Sequence, residues 1–230
     1  MLTVKNLSAR YGDFQALFDI SLELQQGETV AIIGSNGAGK STFLRSLAGL
    51  IRNAPDAIVF NGAAVGDKPA NQTLSSGIAL VPEGRRLFPS LSVEENLRIG
   101  AYRKRPGNWS LERIYELFPV LEKLRKRPGT ALSGGQQQMV AIGRALMSNP
   151  QLLLCDEISL GLAPTTIKDI YAALPSIKAD GTTVMLVEQD INQALAVSDR
   201  FYCFQEGRVS LTGKSGEVGM DQIKAAYFGV

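Results

Sequence analysis

Residues 34–42, GSNGAGKST, decide the fold of this chain. They match the pattern G-x-x-x-x-G-K-[ST], in which two fixed glycines let the backbone wrap closely around phosphate groups. Residues 29–33 are apolar and mostly β-branched, as in a buried strand, and residues 42–50 carry apolar side chains at helical spacing. The glycines therefore lie between a predicted strand and a predicted helix, which is the context that a phosphate-binding loop requires.

All nine residues of this loop are candidate nucleotide-binding residues. They are Gly34, Ser35, Asn36, Gly37, Ala38, Gly39, Lys40, Ser41 and Thr42. The backbone N–H groups of such a loop, together with the positive end of the following helix, attract a polyphosphate. Lys40 is expected to reach the β- and γ-phosphates, and the Ser41 hydroxyl is expected to bind Mg²⁺. A glycine-rich turn with an incidental lysine would not need the flanking strand and helix, so we expect a nucleotide site.

Composition narrows the function classes. The 230 residues include 24 Lys and Arg against 22 Asp and Glu, a formal charge of +2 that is too balanced for a nucleic-acid partner. Cys155 and Cys203 lack metal-like or redox-like spacing, so we expect buried thiols in a reducing compartment. Because no apolar run approaches transmembrane length and the first residues lack a signal-peptide core, we expect a soluble chain. Any action at a membrane would then come from the cytoplasmic side, through other subunits.

The order of strand and helix patterns predicts one α/β domain. Strand patterns precede residue 24 and return at 58–60, 78–81, 152–155, 183–187 and in a hairpin over 201–211. Helical patterns begin with an S-x-x-E capping box at Ser92 and Glu95, continue to about residue 149, and return from Met220. We therefore predict a nucleotide-binding core with a parallel sheet and N-terminal antiparallel strands, formed by residues 1–88 and 150–230. Residues 89–149 are predicted to form an inserted α-helical subdomain.

Residues 152–157, LLLCDE, form an apolar strand that ends in two acids. At the carboxyl edge of a parallel sheet beside the phosphate loop, Asp156 can hold Mg²⁺. The side chain of Glu157, one residue later, points in a different direction from that of Asp156, and it can orient and deprotonate an attacking water molecule. The alternative is that Asp156 merely caps the following turn. Beside a phosphate loop, the paired acids predict hydrolysis as well as binding.

Residues 132–136, LSGGQ, predict a second phosphate-binding surface. Ser133 is a good N-cap, and Gly134 and Gly135 leave backbone N–H groups bare at the start of a helix predicted from Gln136 to Met147. The chain has a single phosphate loop but two phosphate-binding surfaces. The second surface is therefore expected to serve a neighbouring copy.

In this order, GSNGAGKST, LSGGQ and LLLCDE resemble the motifs of ATP-binding-cassette (ABC) ATPases, over essentially the whole chain. The resemblance implies a head-to-tail dimer with two ATP molecules, each between one chain's phosphate loop and the other chain's LSGGQ. It makes Ser133, Gly134, Gly135 and Gln136 candidate ATP-binding residues. Tyr11 falls where the family stacks an aromatic ring on adenine. Without the resemblance, Tyr11 would be an ordinary surface tyrosine.

Two residues of the candidate site depart from the family pattern. Glu83 stands where the family usually has glutamine, and its carboxylate can still bind Mg²⁺. Gln189 stands where the family usually has a histidine that contacts the γ-phosphate, and the chain contains no histidine. We expect Gln189 to act in catalysis with Lys40 and Glu157. The alternative is that Gln189 only caps the following helix. Because the loop lysine, both acids and LSGGQ are intact, we predict an active ATPase rather than a nucleotide-binding regulator.

Three further stretches narrow the resemblance to one subgroup of the family. The chain is similar to the smaller ATPase of bacterial importers for branched-chain amino acids in three stretches: residues 81–97, VPEGRRLFPSLSVEENL; SLGLAP; and the VEQ–NQAL–SDR stretch. The resemblance implies a second ATPase subunit in a homo- or heterodimer, two transmembrane permease subunits and a periplasmic substrate-binding protein. It places the chain on the cytoplasmic face of the inner membrane. The alternatives are a transporter for urea, amides or lipid, or a cytosolic ABC ATPase that transports nothing.

Within residues 81–97, the segment after Glu83 is where the family couples the ATPase to the membrane subunits. We expect four residues to help dock a membrane subunit, namely Arg85, Arg86, Leu87 and Phe88, with Leu87 and Phe88 as the apolar anchors. The alternative is that Phe88 packs inside the helical subdomain.

Overall fold

Two β-sheets organise the fold in the computed structural model, which describes residues 1–229. The strands are β1 (Leu2–Tyr11), β2 (Phe14–Leu24), β3 (Thr29–Gly34), β4 (Ile58–Phe60), β5 (Ala63–Ala64), β6 (Ile78–Val81), β7 (Leu152–Asp156), β8 (Thr183–Glu188), β9 (Arg200–Gln205) and β10 (Arg208–Lys214). The helices are α1 (Lys40–Leu47), α2 (Ala70–Ser76), α3 (Val93–Gly100), α4 (Leu111–Leu117), α5 (Pro119–Lys123), α6 (Gly134–Leu146), α7 (Pro164–Ala179), α8 (Ile191–Val197) and α9 (Met220–Phe228), with short 3₁₀ turns at Pro55–Ala57 and Gly129–Ala131.

The larger sheet has six strands in the order β10-β9-β3-β8-β7-β6, and only β10, at one edge, is antiparallel to its neighbour. β3 is buried along its whole length. Val30 and Ile32 of β3 enter one apolar cluster, whereas Ala31 and Ile33 enter the other, because successive side chains of a strand point to opposite faces. The predicted parallel sheet is confirmed, and it brings the carboxyl ends of β3, β6, β7 and β8 to one edge.

The smaller sheet has the strand order β2-β1-β4-β5 and is antiparallel throughout. The predicted N-terminal antiparallel strands are therefore confirmed. Helix α1 lies between the two sheets. Its side chains Phe43, Leu44 and Leu47 are buried with Leu7 and Leu17 of the smaller sheet, so the loop before α1 is anchored from both sides.

Helix α1 begins and ends earlier than the predicted range of 42–50. It starts at Lys40, inside the phosphate-loop motif, and it ends at Leu47 because Gly49 takes the left-handed backbone conformation, with φ of +70°. The Gly49 N–H donates to the Ser46 carbonyl, and the Leu50 N–H donates to the Arg45 carbonyl at 2.9 Å. These two bonds form a Schellman motif, which satisfies carbonyl groups at the end of a helix.

Helices α3–α6 lie between β6 and β7 in the chain. The predicted capping box at Ser92 and Glu95 is present, with each residue's side chain bonded to the other's backbone N–H. The apolar residues of these helices, such as Leu97 and Val140, share one cluster with Leu153 of the large sheet. The division of the chain into residues 1–88 and 150–230 against 89–149 stays a prediction.

The C-terminal hairpin forms as predicted. Strands β9 and β10 join through Glu206 and Gly207, which both have positive φ. Cys155 and Cys203 are free thiols and both are buried, as expected. Among residues 1–229, no helix is both long enough and apolar enough to cross a membrane.

Candidate nucleotide-binding and catalytic site

The phosphate loop joins β3 to α1, and its fixed glycines are required by close packing. A Cβ atom on Gly34 would overlap the carbonyl oxygen of Phe204 in the neighbouring strand. Gly39 is the N-cap of α1 with φ of +95°, and a Cβ atom there would lie 2.6 Å from the Leu17 Cδ2 atom. Gly37 also has positive φ, but a Cβ atom there would meet nothing within 4 Å. The shape of the loop is therefore set by its own backbone and by the two sheets around it.

Lys40 places a buried cation under the loop. Its side chain is 4% exposed, and its Nζ atom donates to the carbonyl oxygens of Gly34 at 2.7 Å and Ser35 at 3.0 Å. The same Nζ atom lies 3.9 Å from the Glu157 Oε1 atom. Burial lowers the pKa of Lys40, and the nearby carboxylate of Glu157 opposes that shift. The ammonium group is thus placed between the loop and the acid pair.

Ser41 and Asp156 meet although their elements are far apart in sequence. The Ser41 Oγ atom donates to Asp156 Oδ1 at 2.8 Å, which joins the first turn of α1 to the end of β7. Burial raises the pKa of Asp156, and the hydrogen bond from Ser41 opposes this. The Asp156 side chain therefore bonds the helix beside the loop rather than only capping the following turn. A hydroxyl and a carboxylate are both hard oxygen donors of the kind that Mg²⁺ prefers.

Glu157 is held in an uncommon backbone conformation. Its φ of +49° lies in the left-handed region, which costs a residue with a side chain roughly 1–2 kcal/mol. Its N–H donates to the Val187 carbonyl at 3.0 Å, and its Oε2 atom accepts from Gln189 Nε2 at 2.7 Å. Such conformations persist where surrounding contacts impose them, and they concentrate at active sites.

Gln189 does not cap the helix that follows it, so that alternative is wrong. The N-cap of α8 is Asp190, whose side chain accepts from the Gln193 N–H at 3.0 Å. The Gln189 amide is instead directed at Glu157. The structure therefore brings Gln189 to the acid pair, where an amide can orient a carboxylate but cannot carry its proton.

Tyr11 and Glu83 lie at the edges of this site. The Tyr11 hydroxyl is 3.4 Å from the Thr42 Oγ1 atom, and the residue is 45% exposed beside the loop. Glu83 is exposed, and its charge contributes to raising the pKa of Asp156, which places it near the proposed metal-binding oxygens. Among the described hydrogen bonds, none involves the Glu83 carboxylate.

The LSGGQ segment begins helix α6, two residues earlier than predicted. Ser133 is the N-cap and forms a capping box with Gln136: each side chain bonds the other residue's backbone N–H, at 3.3 and 3.0 Å. Gly135 packs so closely on Thr166 of α7 that a Cβ atom could not fit between them. In the part of the chain that the structure describes, no hydrogen bond joins LSGGQ to the phosphate loop. Within one chain, the two predicted phosphate surfaces therefore share no described hydrogen bond.

One group near the acid pair escaped the sequence analysis. Glu188 is buried at the end of β8, where it bonds Ser159 and Tyr171. The sequence signal for Glu188 is an acidic residue at the end of an apolar strand, next to Gln189.

A glycine loop over a buried lysine, an acid pair at the end of the adjacent strand and an LSGGQ segment at the start of a helix together define an ATP-binding cassette ATPase. The family model described as ABC transporter matches residues 17–159, which is more than half of the chain. The chain therefore belongs to the ABC transporter family, as its ATP-binding and ATP-hydrolysing component.

Individual relatives extend this similarity over the full length. The chain is 44% identical, over all of both chains, to the high-affinity branched-chain amino acid transport ATP-binding protein BraG of Pseudomonas aeruginosa. It is 34% identical to the probable branched-chain amino acid transport ATP-binding protein LivF of Archaeoglobus fulgidus, covering 95% of this chain and 94% of that one. A solved dimeric structure of a bacterial ABC transporter cassette is 30% identical, with a TM-score of 0.82 and coverage of 95% of this chain and 100% of that chain.

Proposed function

We propose that this chain is the ATPase subunit that powers a membrane importer for branched-chain amino acids. The observation that carries the proposal is the 44% identity to BraG over the entire length of both chains. An ATPase subunit does not contact the cargo, so the substrate rests on this relationship and on the similar stretch at residues 81–97, not on the nucleotide site.

The contacts of the site support a catalytic role for several of its residues. Lys40 would hold the β- and γ-phosphates, because its ammonium group lies under the loop backbone. Glu157 would act as the general base, and Gln189 would orient it and place the water or the γ-phosphate. Tyr11 would stack on adenine, with residues 34–42 around the phosphates.

Mg²⁺ is proposed as the metal, held by Ser41 and Asp156 with Glu83 at the edge. The close contact of a hydroxyl with a carboxylate fits this ion, which commonly uses one or two carboxylates together with substrate phosphates. Within residues 1–229, no group of three or more His, Cys, Asp or Glu is placed to hold a metal. When bound, the ion would neutralise charge on the β- and γ-phosphates.

A second ATPase subunit is proposed to complete each site. The N-terminus of α6 is formed by Ser133, Gly134, Gly135 and Gln136, and among the described hydrogen bonds none joins these residues to the chain's own phosphate loop. In a head-to-tail dimer they would cover the ATP of the partner, and a related cassette has been solved as a dimer. The partner can be a second copy or a different ATPase of similar fold.

Two transmembrane permease subunits are the proposed membrane partners, with a periplasmic substrate-binding protein acting through them. Phe88 is 46% exposed, which favours a docking role over packing inside the helical subdomain. It borders a cavity of about 320 Å³ that is also lined by Tyr102, Arg86 and Arg144. An apolar side chain from a permease could enter this cavity and contact Phe88.

The docking role can be tested with a cysteine at position 88. Cys155 and Cys203 are buried, so the new thiol would be the accessible one. We expect Phe88→Cys to crosslink to co-expressed permease subunits with a short bifunctional reagent. Phe14→Cys, at an exposed position on the N-terminal sheet, is the matched control and should not crosslink.

The complete proposal is tested by transport. The chain would be co-expressed with the permease subunits encoded beside it, reconstituted in vesicles with the binding protein, and supplied with ATP. We expect uptake of radiolabelled leucine, isoleucine or valine, and none with Glu157→Gln. ATP-driven uptake of urea or an amide in place of these amino acids would overturn the cargo assignment and leave the ATPase assignment intact.

A further inference from the structure

We infer that Glu188 is a positioning residue for ATP hydrolysis, because it fixes the segment that carries Glu157. The inference rests on the proposed role of Glu157 as the general base. It adds to that role a buried acid that does not touch the nucleotide site itself.

Glu188 is 2% exposed, and its carboxylate accepts three hydrogen bonds. The Ser159 Oγ atom donates to Glu188 Oε2 at 2.7 Å, and the Ser159 N–H donates to Oε1 at 3.3 Å. The Tyr171 hydroxyl donates to Oε1 at 2.7 Å. Among residues 1–229, no lysine or arginine forms an ion pair with Glu188. Three neutral donors therefore hold this buried acid, and they come from the loop after β7 and from helix α7.

The end of β8 holds the segment of residues 157–159 at three consecutive points. The Val187 carbonyl accepts from the Glu157 N–H, the Glu188 carboxylate accepts from Ser159, and the Gln189 amide donates to the Glu157 carboxylate. Without the Glu188 contacts, Ser159 would lose its hydrogen bonds to β8. The left-handed backbone of Glu157 needs contacts on both sides to persist, and Ser159 supplies the one on the C-terminal side.

Tyr171 extends the attachment to α7. Helix α7 also carries Thr166, which packs on Gly135 of LSGGQ. The hydrogen bond from Tyr171 to Glu188 therefore connects the segment of Glu157 to the same helix that supports the second phosphate surface. A small displacement of the base is costly, since misplacing a catalytic group by about 1 Å can reduce turnover on the order of 10²-fold.

The shape of the network permits a sharp test with two substitutions of similar size. In Glu188→Gln, the amide oxygen can keep the two bonds at Oε1, and the NH₂ group can donate to the Ser159 hydroxyl. In Glu188→Leu, the side chain fills similar space but accepts nothing, so Ser159 and Tyr171 lose their partner. If Glu188 acts by positioning, glutamine should rescue what leucine removes.

The experiment measures steady-state ATP hydrolysis by the full-length chain. We expect Glu188→Leu to lower kcat by about 10- to 100-fold, with the KM for ATP within about threefold of wild type. Glu188→Gln should recover at least about a third of the wild-type kcat. Thr182→Val is the matched control: it removes a buried hydroxyl that accepts from Trp109 at 3.4 Å, beside the opposite end of β8, and should not affect kcat.

A double-mutant cycle separates positioning from general weakening of the fold. In a Glu157→Gln background the base is absent, so adding Glu188→Leu should reduce the residual rate by less than about threefold. Equal losses with glutamine and leucine would overturn the inference, because the charge would then be what matters. A kcat of Glu188→Leu near wild type would also overturn it. If the wild-type chain itself fails to hydrolyse ATP, the proposed function fails instead, and the two failures are thus distinguishable.

Discussion

The candidate site has two halves, which are built in different ways. One half is the phosphate loop, and the other is the edge of the large sheet that carries the acid pair and Gln189, called the acid edge below. The loop is contiguous in sequence, and its shape is fixed by backbone packing: Gly34 lies against the Phe204 carbonyl and Gly39 against Leu17. The acid edge is assembled from β7 and β8, and hydrogen bonds such as that between Glu157 and Gln189 set its geometry. Binding should therefore survive changes at the acid edge, whereas turnover should be very sensitive to them.

The sharpest separation of the two halves is expected from Glu157→Gln. The change removes the general base and leaves Lys40, Ser41 and Asp156 in place, so turnover should fall by about 10³-fold while ATP binding is retained. The ATP-bound dimer should accumulate because it is no longer consumed. A phosphate-release assay measures the first effect, and gel filtration with ATP measures the second.

Lys40→Ala is the matched variant in the loop half. It should lose ATP binding and show no ATP-dependent dimer, because the buried ammonium group under the loop is gone. Near-normal hydrolysis by Glu157→Gln would remove Glu157 from the role of base and, with it, the contrast between the two halves.

The next largest effect is expected from Gln189→Ala. Its amide donates to Glu157 at 2.7 Å, and losing one such positioning bond should lower kcat on the order of 10²-fold with less effect on binding. The chain has no histidine, so no imidazole can take over as acid or base in a homodimer. Rates within about threefold of wild type, a change below ~0.7 kcal/mol, would leave Gln189 without a catalytic role.

Parts of the fold could be predicted from the sequence, and other parts could not. The alternation of strands and helices was predictable because each element carries its own periodicity, and glycines punctuate the turns. The start of α1 at Lys40 was not, since the first turn of that helix is built from the loop motif itself. The end of α1 was not predictable either, because the left-handed conformation of Gly49 depends on local hydrogen bonds rather than on apolar spacing.

In the candidate site, contiguous motifs could be found by pattern, but contacts between distant segments could not. The Ser41–Asp156 bond spans two motifs that were both recognised, so their meeting was expected. The bonds of Glu188 to Ser159 and Tyr171 join segments that are distant in sequence, and no local pattern pairs them. Sequence reasoning identified the groups that carry the chemistry better than the groups that hold them in place.

A third, smaller effect tests whether packing fixes the loop half. Gly39→Ala should destabilise the fold by about 2–3 kcal/mol, because alanine is strained at φ of +95° and its Cβ atom would also crowd Leu17. Gly37→Ala is the matched control, with φ of +83° and open space, and should cost only the strain of about 1–2 kcal/mol. Chemical denaturation of both variants measures the difference. Equal losses would show that crowding at Leu17 does not constrain the loop.

The smallest expected effect concerns the pH dependence of stability at the acid edge. Burial raises the pKa of Glu188, and the hydrogen bonds from Ser159 and Tyr171 oppose that rise. Because the folded pKa exceeds the unfolded value of about 4.3, the native state binds more protons than the unfolded chain between the two values. The stability linked to Glu188 is therefore fully present below the unfolded pKa and is lost as pH rises through the folded pKa.

Glu188→Gln removes this proton linkage while it keeps the size of the side chain. We compare the melting temperature of the variant with that of wild type as a function of pH. The variant's melting temperature minus that of wild type should increase as pH rises above about 4.3, and it should level off above the folded pKa. Each kcal/mol of linked free energy should raise this difference by about 2–4 °C. The charged and titratable groups that face Glu188 are the same in both proteins, so the comparison changes only the side chain at position 188; they are Lys40, Cys155, Glu157 and Tyr171. A difference that falls as pH rises would mean that Glu188 is more acidic in the folded chain than in the unfolded one, and a difference that is constant with pH would mean that it is equally acidic in both. The acid edge would then be held by an ionised carboxylate with an ordinary pKa, and its sensitivity to pH would have to come from Asp156, whose pKa burial also raises.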